Sequence, residues 1–244
     1  MADNYRLNIG SLRSDVQLTL HTHHAARIWM GRPKNEQKPG IIGLSGFCSI
    51  INRMTRGATQ DDPYSDWWMI NLEDKINESD AALKDIDQRL DDVMANLPPA
   101  ISISNNLSIQ PVRLPLYISN PLGFKAVYLL TSYDEIVRRI LLAQHVGLIG
   151  RREMELWIDE GAAVLRKLFG LAQIYRYSGA CRDDFAANNA KAEAARKMYE
   201  RHGEIPQDIL EGTRRSTFAP PITRGQSENE SPEPFSGDIG DGED

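Results

Sequence analysis

A run of aliphatic residues at heptad spacing constrains this 244-residue chain more than any other feature. Leu72, Ile76, Ser79, Leu83, Ile86, Leu90, Val93 and Leu97 follow one another at steps of 4, 3, 4, 3, 4, 3 and 4, which puts them on one face of a single helix with Ser79 as the polar interruption. Both ends are marked. Asp62-Pro63 supplies a capping carboxylate and a proline at the first helical position, where the missing N–H costs nothing, and Pro98-Pro99 stops the helix. A long helix over 62–97 is therefore predicted. Its seam must be covered either by a second copy of the chain or by the chain's own body, and the intrachain packing is favoured.

The segments around it read as a mostly helical α+β protein. Residues 12–21 alternate: Leu12, Val16, Leu18 and Leu20 fall on one side, with Arg13, Asp15, Gln17, Thr19 and His21 on the other, the period of a strand with one buried face. Thr22 then caps a short helix through Met30, and a polar loop from Gly31 to Gly40 leads into a second helix over 41–56. Strand, helix and helix form an N-terminal unit over 12–56. Beyond the long helix, residues 101–118 are rich in β-branched side chains, but Pro111 and Pro115 confine them to an edge or an irregular strand. Asn120-Pro121-Leu122-Gly123 reads as a turn and 124–130 as the returning strand of a small antiparallel hairpin. Ser132 is read as the cap of a helix through Val146, followed by a helix to about Tyr175 and a charged, alanine-rich surface helix over 183–201. Together 1–211 form one globular domain, with 101–203 holding the hairpin and later helices. Residues 212–244 are dominated by Ser, Pro, Gly and acids and are expected to be a disordered acidic tail.

The formal net charge of −6 hides a division along the chain. Residues 1–56 hold eight Lys and Arg against three acids, residues 57–97 three against eleven, and residues 225–244 seven acids with no Lys or Arg. An acidic average therefore does not exclude an anionic partner, because a local basic patch sets binding. No apolar run approaches the roughly 20 residues that span a bilayer, and the start lacks the apolar stretch of an export signal, so the expected setting is cytoplasmic. Cys48 and Cys181, far apart in sequence, read as reduced buried thiols.

Three places in the sequence could carry chemistry. His21, His23 and His24, with Asp61 and Asp62, could supply ligands to a metal-dependent nuclease or hydrolase, but once a helix begins at Thr22 the three rings diverge, so no metal site is assigned. Gly40, Gly43 and Gly46 lack the spacing of a phosphate loop and suit close packing instead. No catalytic motif, cofactor or small-molecule substrate is evident. The outer face of the N-terminal strand remains. In a ribbon-helix-helix arrangement, two such strands pair across a dimer axis and push their outer side chains into the major groove. Gln17 suits adenine, Arg13 guanine and Thr19 either, with His21 beside them, while Lys38 and the main chain at Gly40, read as the start of the second helix, could hold a phosphate.

Several words in the sequence carry a resemblance. Leu20-His-Thr-His-His-Ala, Arg27-Ile-Trp-Met-Gly-Arg32, Pro39-Gly-Ile-Ile-Gly-Leu44, Gly57-Ala-Thr-Gln-Asp-Asp-Pro-Tyr-Ser-Asp-Trp-Trp68 and His145-Val-Gly-Leu-Ile149 resemble a family of integrating conjugative element proteins. That family is in turn similar to the AcaB-like transcriptional regulators of conjugative plasmids, and the likeness spans roughly 12–220. It implies a ribbon-helix-helix protein that binds double-stranded DNA as a homodimer and regulates conjugative transfer genes. The ten-residue loop of 31–40 departs from the compact form of that motif, which leaves 124–130 as a second candidate ribbon strand. An adaptor of the conjugation apparatus, using the heptad helix as a partner surface, is the other alternative.

Overall fold

The heptad helix starts where the sequence predicts. In the computed structural model, which describes residues 16–35 and 40–223, helix α3 (Pro63–Met94) follows Asp62. The Asp62 carboxylate accepts from the Tyr64 N–H at 3.0 Å and from the Ser65 hydroxyl at 2.7 Å. Leu72, Ile76, Leu83, Ile86 and Leu90 are buried within the one chain, against helices α4 (Pro121–His145) and α5 (Arg151–Ala172). The seam is thus an intrachain one. Ser79 donates its hydroxyl to the Lys75 carbonyl at 2.7 Å, so the polar interruption is satisfied inside the helix.

The other elements surround α3. Strand β1 (Gln17–Leu20), helix α1 (His23–Met30), strands β2 (Gly31–Arg32) and β3 (Ile41–Ile42) and helix α2 (Leu44–Thr59) precede it; strand β4 (Val112–Pro115) lies between it and α4. The fold is α+β and mostly helical, with two small antiparallel sheets among the described residues, β1 with β4 and β2 with β3. Helices α2, α3, α4 and α5 pack together around a core that includes a Phe47–Phe169 ring pair at 4.9 Å. Each large side chain fully buried in this core contributes about 1.5–3 kcal/mol. The tryptophans are core anchors: Trp68 is buried, and Trp29, Trp67 and Trp157 pack against the same cluster.

Four expectations from the sequence need correction. Residues 124–130 are helix, not the returning strand of a hairpin. Asn120 accepts from the Leu122 N–H at 2.8 Å and Pro121 occupies the first turn, so the Asn-Pro pair starts α4 as Asp62-Pro63 starts α3. Ala126, Val127, Leu130, Tyr133, Val137 and Ile140 then line one buried face, and Ser132 lies within the helix as an exposed residue. This removes 124–130 as a candidate ribbon strand; the strand that pairs with β1 is β4. The second correction concerns the loop over 31–40. It ends in the β2–β3 pairing, and α2 begins only at Leu44, with Gly43 as its N-cap. Gly43 is required there, since a Cβ would come within 2.0 Å of the Trp29 carbonyl oxygen.

The predicted surface helix over 183–201 is two helices, α6 (Arg182–Ala186) and α7 (Ala190–Tyr199), parted at Asn188 with its φ of 46°. Tyr199 is buried and stacks on Tyr64 at 4.5 Å. A short helix α8 (Gln207–Leu210) follows. Residues 212–223, assigned by composition to the tail, are held on the body: Arg215 pairs with Asp66, and Ser216 donates its hydroxyl to Glu73 at 2.6 Å.

Both cysteines are free thiols, Cys48 buried and Cys181 partly exposed. Burial pushes the Cys48 thiol up to about 11, far from the reactive thiolate. Iodoacetamide on the native protein should therefore label Cys181 and spare Cys48 until denaturant is added, as read by peptide mass mapping. Equal native labelling would contradict the buried position of Cys48.

Candidate nucleic-acid interface

The alternation read over 12–21 is realised in β1: Leu18 and Leu20 are buried, Gln17 and Thr19 exposed. Val16, placed on the buried side, is 40% exposed at the strand's entry. The antiparallel register sets Gln17 opposite Pro115, Leu18 opposite Leu114, Thr19 opposite Arg113 and Leu20 opposite Val112. Directly opposed residues share a face, so the outer face of this two-stranded ribbon carries Gln17, Thr19 and Arg113, while the aliphatic side chains of β1 join the core. Arg113 was missed in the sequence. The alternation Val112-Arg113-Leu114 between two prolines was its only local signal.

Among the described residues no strand covers the ribbon's other edge. The Leu116 N–H donates to the Val16 carbonyl at 2.8 Å, which makes 16/116, 18/114 and 20/112 the hydrogen-bonded pairs. Gln17 and Thr19 consequently aim their main-chain N–H and C=O groups away from β4, and no strand among the described residues pairs with them. Such an edge can accept another strand.

A buried carboxylate fixes the junction between β1 and α1. Asp134 of α4 accepts from the His21 N–H at 3.0 Å, the Thr22 N–H at 2.9 Å and the Thr22 hydroxyl at 2.7 Å. The same hydroxyl accepts from the Ala25 N–H at 3.2 Å, which makes Thr22 the N-cap of α1 as expected. The ribbon is therefore tied to the helical core at its C-terminal end. Asp134 has no local sequence signal, since its partners lie far upstream.

The remaining candidates are spread out. Arg13 and Lys38 lie outside the described residues. Gly40 is half-buried ahead of β3, so it is not at a helix start, and the phosphate-binding argument made for it from free helical N–H groups does not apply. The His21 Nδ1 accepts from the Ser108 N–H at 3.2 Å; His23 is exposed, and His24 faces a cavity beside α5. Burial, with His23 and Arg27 nearby, holds the His24 imidazole below its ordinary value. Asp61 pairs with Arg182, and Asp62 is taken up by Ser65, Tyr64 and Ser178. No group of three or more His, Cys, Asp or Glu that could hold a metal ion forms among the described residues, and no helix there is long and apolar enough to cross a membrane.

This arrangement offers a ribbon of two strands whose outer side chains, an amide, a hydroxyl and a guanidinium, are the types that read base edges. No curated protein sequence matches the chain. A solved structure, the crystal structure of selenomethionine-containing AcaB from uropathogenic E. coli, is 15% identical with a TM-score of 0.53, over 82% of this chain and 98% of that one, a likeness of fold. The family model described as transcriptional regulator AcaB matches residues 8–223, and the chain belongs to that family of transcriptional regulators.

Proposed function

We propose that the protein binds double-stranded DNA as a homodimer through the outer face of the β1–β4 ribbon and regulates the transfer genes of an integrative and conjugative element. The observation that carries this reading is the exposed row of Gln17, Thr19 and Arg113 on a ribbon anchored in the core through Leu18 and Leu20 of its opposite face. Glutamine can meet adenine through two hydrogen bonds, arginine guanine, and threonine either base or a thymine methyl. The main-chain edge at Gln17 and Thr19, which no strand among the described residues covers, suits addition of the same strand from a second copy across a two-fold axis, which would double the row of reading residues. Arg13, His21 and Lys38 complete the proposed surface within the basic first block, where phosphate contacts position the protein without reading sequence. The mobile-element setting rests on the sequence words that resemble integrating conjugative element proteins.

The test is a mobility-shift series on duplexes from the element's transfer-gene promoters and on unrelated duplexes, across a range of salt. Gln17→Ala, Thr19→Ala and Arg113→Gln should leave the melting temperature almost unchanged, because all three side chains are exposed. Discrimination between the duplexes should fall by about 1–3 kcal/mol for each base-reading side chain removed, while non-specific binding persists and weakens steeply with salt. Intact discrimination in the triple variant would overturn the ribbon assignment.

A further inference from the structure

A cavity of about 280 Å³ opens beneath α1, between the β2–β3 pair and α5, away from the outer face of the ribbon. Its walls are of two kinds. Ile28, Ile42 and Phe169 give it an apolar side, and Arg27 of α1 and Arg166 of α5 reach it from different elements. Arg89, Arg139, Arg151, Arg182 and Arg215 each hold an acid, whereas Arg27 and Arg166 form no ion pair among the described residues. Asp159 is the lone acid in the lining, and Arg32 and His24 also lie on the polar side.

The walls are set before any ligand arrives. The Tyr133 hydroxyl donates to the Ile158 carbonyl at 3.1 Å, which fixes the ring that forms one wall, and Phe169 is held against Phe47. A preformed concavity with an apolar body and a few converging polar groups is the usual form of a small-molecule site, and this volume lies at the small end of the range. Two guanidiniums that form no ion pair among the described residues favour negative charge, and their planar donors match a phosphate or carboxylate group. We infer that this cavity binds a small organic anion, its phosphate or carboxylate held by Arg27 and Arg166 and its ring or short chain laid against Ile28, Ile42 and Phe169. Burial is the main cause of the lowered His24 value, with the positive charges of His23 and Arg27 adding to it, and an anion bound there would offset those charges.

Calorimetry on the full chain without DNA tests the inference separately from the DNA reading, with phenyl phosphate as the probe and inorganic phosphate and phenol as its two halves. Phenyl phosphate should bind saturably, at least tenfold more tightly than either half. Arg27→Gln and Arg166→Gln should each weaken it by about tenfold or more, the factor that removal of a charge-assisted hydrogen bond implies, while Arg151→Gln on the outer surface changes nothing. In the wild-type protein, where no variant can misfold, the probe should shift the NMR signals of His24 and Tyr133 and move the His24 titration upward. Non-saturable binding, binding unaltered by both cavity variants, or shifts that avoid His24 and Tyr133 would overturn the inference. So would a result in which the two variants weaken only duplex DNA, because the arginines would then be backbone contacts.

Discussion

Replacing Leu83 by aspartate should abolish the cooperative unfolding transition seen by circular dichroism. Leu83 is 1% exposed on the buried face of α3 and borders Ser132 and Ile136 of α4. Truncation to alanine at such a site costs about 2–5 kcal/mol, from the burial forfeited and the cavity left behind. Aspartate adds a carboxylate against an apolar neighbour, where Asp80, Asp87 and Glu135 carry the same charge and the nearby cation, Lys84, is already paired with Asp80 at 2.6 Å. The sum is comparable with the whole stability of an ordinary domain, about 5–15 kcal/mol. Leu83→Ala should accordingly fold with a lowered melting temperature, and Leu83→Asp should not fold. A folded, monomeric Leu83→Asp protein would mean that the seam joins two chains.

That helix was legible because its determinants are local: a carboxylate and a proline at one end, two prolines at the other, and a spacing that only a helix can bring to one face. Helix α4 was misread because its opening is ambiguous in isolation. Asn-Pro followed by Leu-Gly serves a turn as well as a helix start, and Phe124, Val127 and Tyr128 have the bulk and branching of strand residues. Tertiary structure decides between them. Besides capping Leu122, Asn120 donates from its amide to the Thr55 hydroxyl of α2 at 2.6 Å, which no pattern within 120–130 could announce.

The candidate interface divides in the same way. Gln17 and Thr19 were legible because a period of two assigns their faces directly, and they are exposed as read. Arg113 and Asp134 were not, because each matters through a partner remote in sequence: Arg113 through its register with Thr19, and Asp134 through the two main-chain N–H groups and one hydroxyl that it accepts. Composition also misplaced the end of the body. Residues 212–223 are rich in polar side chains, yet Arg215 and Ser216 direct theirs to α3, so polarity there signals attachment.

That attachment centres on Asp66, and Asp66→Ala should be the most damaging single change outside the aliphatic core. The Asp66 carboxylate is fully buried and accepts from Arg182 Nη2 at 2.7 Å, from Arg215 Nε at 2.9 Å and from Arg215 Nη2 at 2.9 Å. The two arginines spread outward from it. Arg182 also pairs with Asp61 and donates to the carbonyls of Ile209 and Leu210, and Arg215 donates to those of Ala58 and Pro220. One carboxylate thus joins the end of α2, the start of α3, α6 and the C-terminal segment. Removing it leaves Arg215 without its acid and Arg182 with Asp61 alone, at a cost of about 3–5 kcal/mol, the range for breaking one side of a buried ion pair. Arg151→Ala, by contrast, breaks an exposed pair with Glu155 worth at most about 1 kcal/mol, and that small effect should vanish in high salt. Denaturant titrations at low and high salt would separate the two, because the destabilisation by Asp66→Ala should persist when surface charges are screened. Limited proteolysis should first release the 207–223 segment in that variant, and a wild-type digestion pattern would show that the segment is held by its other contacts.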